Sequence, residues 1–442
     1  LKRNENKGIT SFAEKPKDEK VLEAMVSEPN SDKPYFGSMG IYLFNIDVLS
    51  DLLENSSYED FGKHVIPAAI EKYNVYGYEY TGFWADIGTI RAFFETNLAI
   101  ASKNPPFSLI DEGCTMIFGG SSSAVAIEAC DVCQKNDVLF FGTLTYSTAT
   151  TLEYGRRNCF RECNDSRMSA RVLADWLNSR FSGKRYFYIT SDYTWGWTTE
   201  ESVREVTGTR DREAHPGILT SLGTLDFTEV LAKAGDARPE VLVLSLFGKD
   251  LSTALIEARA MGLGKSAQIV VPNLTLGMAE RAGAEAMEGV VGTMPWNWKI
   301  PYEFGFQQGQ VFVEEFVRRF RRYPSTSGAS AYAIVHEYAS AVERAGTLEV
   351  SAVIDALEDH RYTLLKDEQV WRSLDHQSVQ TVYLVRGNEL SRVFEDAHKQ
   401  DYFSIIGFRP GEETVITPDE WKARRVSHGL SPFLEEREGA MP

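Results

Sequence analysis

The chain has 442 residues, 43% of them hydrophobic and 25% charged, which is the balance of a globular protein with about two or three domains. Its 46 Lys and Arg stand against 63 Asp and Glu, so the net charge is -17, which repels phosphate backbones and anionic lipid head groups. Composition therefore argues against nucleic acids and membrane surfaces as partners.

The sequence contains no signal for membrane insertion or export. No uninterrupted apolar run approaches the ~20 residues that a membrane-spanning helix needs. The opening segment LKRNENKGIT lacks the apolar core of a secretory signal. We therefore expect no membrane insertion, and a cytoplasmic location if the chain is expressed as written.

Residues 1–105 combine short strand-like stretches with polar loops. Their apolar patterns predict strands in GITSFAEKP and SMGIYLFN, a strand pair in NVYGYEYTGFWADIG, and a helix in TIRAFFETNLAI, at 89–100. The stretch that follows, SKNPPFSLIDEG, carries two prolines, which interrupt regular structure. We therefore predict that the first part ends at residue 105 and that 106–112 form a linker.

Four motifs in this first part occur in the order of a known family: FAEKP, SMGIYLF, DFGKHVIPAAI and GFWADIGTIRAFFETNLAI. Together they closely resemble the later part of the catalytic domain of bacterial and plant ADP-glucose pyrophosphorylases. The resemblance implies that Glu14 and Lys15 contact a sugar phosphate, that Ser38 lines the same pocket, and that Asp86 holds a catalytic magnesium. These residue types suit that chemistry, because lysine is a compact charge for phosphate and a carboxylate suits a hard cation.

Two parts of that catalytic machinery do not occur in this sequence. Nucleotidyl transfer requires a glycine-rich loop to hold the triphosphate and a second carboxylate for the metal, and the family carries both before these motifs. We therefore expect an α/β fragment of a nucleotidyltransferase-like domain whose site residues are vestigial. Glucose-1-phosphate adenylyltransferase activity remains the alternative function, and whether the chain is an enzyme stays open.

From residue 115 onward, apolar strand-like stretches alternate with amphipathic helical stretches. Strands are predicted in TMIFG, VLFFG, YFYIT, VLVLSLF, QIVVP and GVVGT. Continuous apolar strands separated by helices are typical of parallel sheets with both faces covered. A helix is predicted over 309–323, where Val311, Phe312, Phe316 and Phe320 recur at helical spacing and the arginines form a solvated face.

All five cysteines lie between Cys114 and Cys163. Cys130 and Cys133 have CxxC spacing and invite a zinc site, but they fall in mid-helix among apolar neighbours, where free cysteine is a common core residue. A disulfide between Cys159 and Cys163 is a further alternative in an oxidising compartment. Buried thiols are the simplest interpretation.

The stretch TMIFGGSSSAVAIEA, at 115–129, leads from a strand through two glycines and three serines into a helix. The first turn of a helix has unpaired backbone N–H groups and a partial positive charge, and both attract an anionic or carbonyl oxygen. Ser122 and Ser123 are therefore candidate ligand-binding residues. The alternative is that one of them only caps the helix.

Residues 109–400 resemble a second family, the type I periplasmic solute-binding proteins that serve branched-chain amino acid and amide ABC transporters. The resemblance rests on GGSSSAVAIEACDVCQKNDVLFFGTLTYSTA, FRECNDSRMSARVLADWL, SDYTWGW and the stretches around SLFGKD and EEFVRRFRRY. It implies two α/β lobes around a cleft, a small-molecule ligand, a transporter permease as partner, a periplasmic location and no cofactor.

In that family about 70 to 80 residues, enough for two βα units of a doubly wound sheet, precede the glycine and serine loop. Here their place is taken by the first part, so the chain has the character of a chimera with an incomplete first lobe. The strand TMIFG should then expose an apolar edge, and the first lobe should be the less stable one. The predicted boundaries are 113–163 and 296–375 for lobe I, 164–295 and 376–404 for lobe II, and 405–442 for a loosely attached polar tail.

The resemblance also assigns positions around the cleft. The ligand head would meet the serines of the loop and the stretch after the next strand, and aromatic side chains of the second lobe would close over it. The implied residues are Ser122, Ser123, Leu144, Thr145, Tyr146, Tyr193, Trp195, Phe247 and Asn273.

Asn273 departs from the pattern for an amino-acid ligand. Members that bind amino acids often carry an acid at this position to pair with the ligand ammonium. A neutral amide does not offset the cost of burying an ammonium as a carboxylate does. The sequence therefore leaves an amide, a small acid or an aromatic compound as the ligand.

Overall fold

The structure, a computed structural model, describes residues 1–28, 31, 33–54, 56–86, 92 and 113–434. The chain divides into two compact units, residues 1–112 and 113–442. The predicted linker at 106–112 lies outside the described residues, as does the predicted helix at 89–100 apart from Ala92.

The first unit contains short elements around a small core. They are β1 Lys2–Arg3, β2 Ile9–Ser11, α1 Glu19–Ala24, α2 Ile46–Glu54, a π-helix Phe61–Val65 and α3 Ile66–Lys72. β1 and β2 pair antiparallel. Asp60 caps the π-helix by accepting a hydrogen bond from the Lys63 N–H at 2.8 Å. Leu52, Val65 and Ala69 form the buried core between the helices.

The strand predicted at 38–45 is wrong, and so is the strand pair predicted at 74–88 over its described residues, 74–86. Within the described residues, 38–45 form no strand, and 74–86 contribute a single bridge between Tyr76 and Gly8. Leu43 is fully exposed and Tyr78 is 88% exposed. A strand gains its stability from paired neighbours, and β1 and β2 are too short to supply that pairing.

The second unit carries thirteen strands and fifteen α-helices among the described residues. The strands are β3 Met116–Gly119, β4 Leu139–Gly142, β5 Cys159–Arg161, β6 Tyr186–Ser191, β7 Gly217–Thr220, β8 Val241–Ser245, β9 Gln268–Val271, β10 Val291–Met294, β11 Arg361–Tyr362, β12 Gln369–Trp371, β13 Ser378–Val379, β14 Val382–Gly387 and β15 Phe403–Arg409. The helices are α4 Ser123–Asn136, α5 Ser166–Phe181, α6 Thr194–Thr207, α7 Thr228–Ala237, α8 Gly248–Ala260, α9 Leu263–Ser266, α10 Leu276–Ala282, α11 Ala284–Met287, α12 Ile300–Phe304, α13 Gln307–Phe320, α14 Thr326–Ala345, α15 Val350–Leu357, α16 Leu390–Glu395, α17 Gly411–Thr414 and α18 Pro418–Ser427.

A seven-stranded sheet organises the larger lobe, in the order β15-β14-β10-β9-β8-β6-β7. The strands from β10 to β7 are parallel, and β14 and β15 join antiparallel at one side. Apolar side chains on both faces are covered by helices, which is why these strands read as continuous apolar runs. The six strands predicted from residue 115 onward are all present.

A three-stranded parallel sheet, β3-β4-β5, organises the smaller lobe. Phe141 and Phe160 from its strands pack with Trp371 of β12 and with α14 and α15. The chain passes between the lobes three times. These crossings are residues 162–165 after β5, residues 295–306 between β10 and α13, and residues 380–381 between β13 and β14.

The outer edge of β3 has no strand beside it in the described part of the chain, as predicted for TMIFG. Phe118 on this strand is 42% exposed. It lines a groove of about 940 Å³ with side chains of α13 and α14. Val311 and Phe320, which the sequence places on the apolar side of α13, also face this groove and are more than half exposed.

Residues 405–434, the described part of the predicted tail, are not loosely attached as their polar composition predicts. Residues 403–409 form β15 and pair with β14 along six positions. Trp421 of α18 is buried, and its Nε1 donates to the Thr151 carbonyl at 2.9 Å. Arg425 is fully buried and donates to the Leu152 carbonyl. A few long-range anchors therefore hold a mostly polar segment in place.

All five cysteines are free thiols. The Cys159 thiol lies beside that of Cys130, and burial raises the pKa of Cys159 well above its ordinary value. Cys163 packs instead in a buried cluster with Tyr146 and Trp195, so Cys159 and Cys163 face different surroundings. Among the described residues, no His, Cys, Asp and Glu side chains group as a metal site would require.

None of the helices in the described part of the chain combines the length and apolar character that a membrane crossing requires.

Candidate functional site

The turn between β3 and α4 brings a helix start to the carboxyl edge of the smaller sheet. Gly120 has a φ of 77°, and a Cβ there would approach Phe140, Ala126 and Thr145 within 3.3 Å. The backbone conformation therefore favours glycine, and a side chain here would also crowd its neighbours. Ser122 occupies the N-cap position, and its side chain makes no capping hydrogen bond.

The two serines of the turn have different roles. The Ser123 hydroxyl is buried and accepts a hydrogen bond from the Ser147 N–H at 3.2 Å. It thus ties the start of α4 to the loop that follows β4. Ser122 is half-buried, and as the N-cap residue it directly precedes the first residues of α4. Of the two predicted binding residues, Ser122 is the one whose side chain makes no capping hydrogen bond.

Aromatic residues from both lobes meet beside the loop that follows β4. Tyr146 follows β4 in the smaller lobe, and its ring centroid lies 6.0 Å from that of Phe247 in the larger lobe. Trp195 lies 5.6 Å from Phe247 and 6.0 Å from Tyr193 by the same measure. Leu144 packs against this group, which we call the cleft cluster: Leu144, Tyr146, Cys163, Tyr193, Trp195 and Phe247. The structure therefore brings together five side chains that the sequence assigned to the site.

A direct polar contact also joins the lobes beside the cleft cluster. The hydroxyl oxygens of Ser147 and Thr198 lie 3.2 Å apart. Thr145, another predicted site residue, is buried, and its carbonyl accepts a hydrogen bond from Arg161 at 3.4 Å. The Thr145 carbonyl is therefore already hydrogen-bonded within the protein.

Several buried polar atoms at this edge have no hydrogen-bond partner within the described part of the chain. They are Tyr146 Oη, Asn164 Oδ1, Ser191 Oγ, Trp195 Nε1, Ser245 Oγ and Asn273 Oδ1. Ser191 ends β6, Ser245 ends β8, and Asn273 follows β9, so they collect at the carboxyl ends of parallel strands. Buried polar groups are normally paired, and this edge is where open α/β sheets bind ligands.

Asn273 lies in a neighbouring polar group rather than in the cleft cluster. Its Nδ2 donates to the Ser169 hydroxyl at 2.8 Å, and Asn164 Nδ2 donates to the same oxygen at 2.7 Å. The side-chain oxygens of Asn164 and Asn273 accept no hydrogen bond from the described residues. Asn164 and Cys163 were missed by sequence reasoning, because only the chain crossing at 162–165 brings them here.

Burial keeps the cleft cluster uncharged at neutral pH. It raises the pKa of the Cys163 thiol and of the Tyr193 hydroxyl to about 12 each. Burial likewise raises the pKa of Tyr146 well above its ordinary value. The cluster therefore offers neutral donors and apolar surface, which can orient a small solute but supply no acid or base near pH 7.

The residues predicted by resemblance in the first unit are spread over several segments. Glu14 is half-buried, with its carboxylate next to Gly62, and Lys15 is exposed. The Ser38 hydroxyl lies 3.1 Å from the Tyr42 hydroxyl. Asp86 is exposed, at the end of a described segment.

Two lobes joined by three crossings, with a buried cluster at their meeting edges, define the class of two-lobed binding proteins with an interlobe cleft. Comparison of the sequence with known families agrees. The family described as "Periplasmic binding protein" matches residues 107–392, and the chain belongs to this family. The family described as "Nucleotidyl transferase" matches residues 1–103.

Solved structures show the same fold. The chain is 21% identical to a periplasmic binding protein from Burkholderia mallei, with a TM-score of 0.63, covering 70% of this chain and 80% of that one. It is 19% identical to a leucine-, isoleucine-, valine-, threonine- and alanine-binding protein from Brucella ovis in its closed conformation, with a TM-score of 0.57 and coverage of 78% and 87%. It is 16% identical to a solute-binding protein of an ABC transporter from R. palustris in complex with benzoate, with a TM-score of 0.58 and coverage of 71% and 81%.

Proposed function

We propose that this chain is the solute-binding component of an ABC-type uptake system and captures a small polar-headed molecule between its lobes. The observation that carries the proposal is the set of buried, unpartnered polar atoms at the carboxyl edges of both sheets. Such groups cost free energy when left unpaired, and a ligand with matching polar atoms removes that cost. A transporter permease is the partner, and the periplasm the compartment, that the family suggests.

The ligand head would bind at the start of α4. Ser122 and the first N–H groups of the helix suit a carboxylate or amide oxygen, and Trp195 Nε1 and Tyr146 Oη add neutral donors. Tyr193 and Phe247 supply apolar surface for the remainder of the ligand.

We further propose that the ligand lacks an ammonium group. The family resemblance puts Asn273 at a position where members that bind amino acids often carry an acid. Its neighbours Asn164 and Ser169 are also neutral. Burial of an ammonium against neutral amides is unfavourable. Among the similar structures, the R. palustris protein is in complex with benzoate, an acid without an amine.

Isothermal titration calorimetry of the full chain with benzoate, leucine and acetamide tests both parts of the proposal. We expect benzoate or acetamide to bind and leucine to bind more weakly. Binding of leucine alone would overturn the ligand class and keep the binding function. Absence of heat with all three, in a protein that unfolds cooperatively, would count against the binding function with these solutes.

Sugar-nucleotide formation is the second candidate, because the nucleotidyl transferase family matches residues 1–103. An assay of ADP-glucose formation from ATP and glucose 1-phosphate separates the two candidates. Turnover that is lost on Lys15→Ala would favour the enzyme over the binding protein.

A further inference from the structure

A buried lysine lies where the chain passes between the lobes. Lys366 belongs to the loop between β11 and β12 and is 2% exposed. Its Nζ donates to the Pro295 carbonyl at 2.6 Å, to Gln380 Oε1 at 2.7 Å and to the Thr381 carbonyl at 2.9 Å. All three donor positions of the ammonium are therefore used.

The acceptors belong to the crossings. Pro295 begins the second crossing, and Gln380 and Thr381 form the third. The Gln380 side chain extends the connection, because its Nε2 donates to the Glu162 carbonyl at the start of the first crossing. One ammonium and one amide thus link all three crossings.

The surroundings hold the lysine in this position. The cavity lined by Lys366, Gln380 and Glu162 measures about 10 Å³, on the scale of a single water-sized probe. The Glu162 carboxylate accepts a hydrogen bond from the Ser330 hydroxyl at 2.5 Å, and the Tyr383 ring lies 5.6 Å from Lys366 Nζ. A buried charge is tolerated only when its hydrogen bonds are made, so movement that breaks them is opposed.

We infer that Lys366 and Gln380 form a clasp across the three crossings and that Lys366 is a positioning residue for the hinge between the lobes. Hinge motion changes backbone angles in a few connecting residues. A rotation that moves Pro295 away from Thr381 must break a hydrogen bond to Lys366. The clasp therefore favours one lobe arrangement, and it acts without touching the cleft cluster.

The test measures lobe separation directly in the full chain, so it does not depend on the proposed ligand. Spin labels are attached to two introduced cysteines, Glu128→Cys on α4 and Lys233→Cys on α7, which are exposed positions in different lobes. Cys114→Ser removes the half-buried native thiol. Pulsed electron resonance then gives the distance distribution between the labels. We expect Lys366→Met to shift this distribution towards longer distances and to broaden it.

The matched control is Arg204→Met. Arg204 is fully buried, and its partners, Glu200, Thr209 and His215, all belong to the larger lobe. This variant loses similar hydrogen bonds away from the crossings, so its distance distribution should equal that of the parent. A distribution unchanged by Lys366→Met, or broadened equally by both variants, overturns the clasp.

A second variant tests the inference if Lys366→Met does not fold. Gln380→Leu keeps the ammonium but removes the connection to the first crossing at Glu162 and one of the three acceptors of Lys366 Nζ. The clasp predicts a broader distribution for this variant as well. If Lys366→Met does not fold and Gln380→Leu leaves the distribution unchanged, the inference is wrong.

Discussion

The rings of Tyr146 and Phe247 lie with their centroids 6.0 Å apart, although Tyr146 follows β4 of the smaller lobe and Phe247 precedes α8 of the larger one. Together with Trp195 and Cys163, Tyr146 is almost completely buried. A ligand that enters between these rings requires the lobes to separate first. If the proposed function holds, site and hinge are coupled, and a change at either would alter the apparent affinity.

Replacement of Trp195 by Phe should weaken ligand binding with little effect on folding. The ring is kept, but the Nε1 donor, which has no protein partner in the described residues, is lost. Loss of one neutral hydrogen bond to a ligand costs about 1 kcal/mol, or about fivefold in Kd. Calorimetry with benzoate measures the change. Trp176→Phe in α5, away from the cleft cluster, is the control, and an equal loss in both variants would contradict the prediction.

Asn273→Asp should move the preference of the site towards amino acids. A carboxylate beside Asn164 and Ser169 would pair with an ammonium and repel an acid. A charge-assisted hydrogen bond contributes about 1.5–3 kcal/mol, so the ratio of leucine to benzoate affinity should rise at least about tenfold. Competition between the two ligands in calorimetry gives this ratio. Asn158→Asp, buried beside β5, is the control and should leave the ratio unchanged.

The sequence predicted the elements that carry strong local signals. Six apolar runs correspond to β3, β4, β6, β8, β9 and β10. The glycines and serines before α4 marked the helix start, because a positive φ at Gly120 and a polar N-cap are local requirements. The aromatic site residues were predicted from the family resemblance, because the sequence around Trp195 or Phe247 is equally typical of an ordinary core residue.

Other features depend on contacts far apart in the chain and left no local signal. Asn164 and Cys163 join the site through the crossing that carries them, and Lys366 reads as an ordinary loop lysine. The attachment of residues 405–434 was misjudged because their composition is polar. Its attachment depends on Trp421 and Arg425, whose partners at 151–152 lie about 270 residues earlier.

The smaller lobe should open more readily than the larger one. β3 pairs on one side only among the described residues, and Phe118 is 42% exposed, whereas β8 lies between β6 and β9 and is fully buried. Local opening free energies are lowest where few contacts cover the backbone. Hydrogen exchange followed by mass spectrometry should show faster exchange at Met116–Gly119 than at Val241–Ser245. Limited proteolysis should likewise degrade the smaller lobe first, and equal protection of both strands would refute the prediction.

The stability of the chain relative to Lys366→Met should rise with pH above about 8. Burial lowers the pKa of Lys366 from 10.5 to about 8, against the opposing attraction of Asp367 and Glu162. Between these two values the unfolded state binds the proton and the folded state does not. The free energy of unfolding therefore increases with pH across this window, while Met at position 366 has no such dependence.

Urea denaturation of both proteins at pH 7.5, 8.5 and 9.5 measures this difference. The groups that face Lys366 are Glu162, Asp367 and Tyr383, whose hydroxyl has its pKa raised by burial. These three groups are present in both proteins, so the slope of the difference in unfolding free energy is assigned to the lysine. Loss of the ammonium proton also removes one donor from the clasp. The parent chain should therefore gain both stability and lobe mobility as the pH rises. If the stability difference between the parent and Lys366→Met stays constant instead, Lys366 remains charged in the folded state.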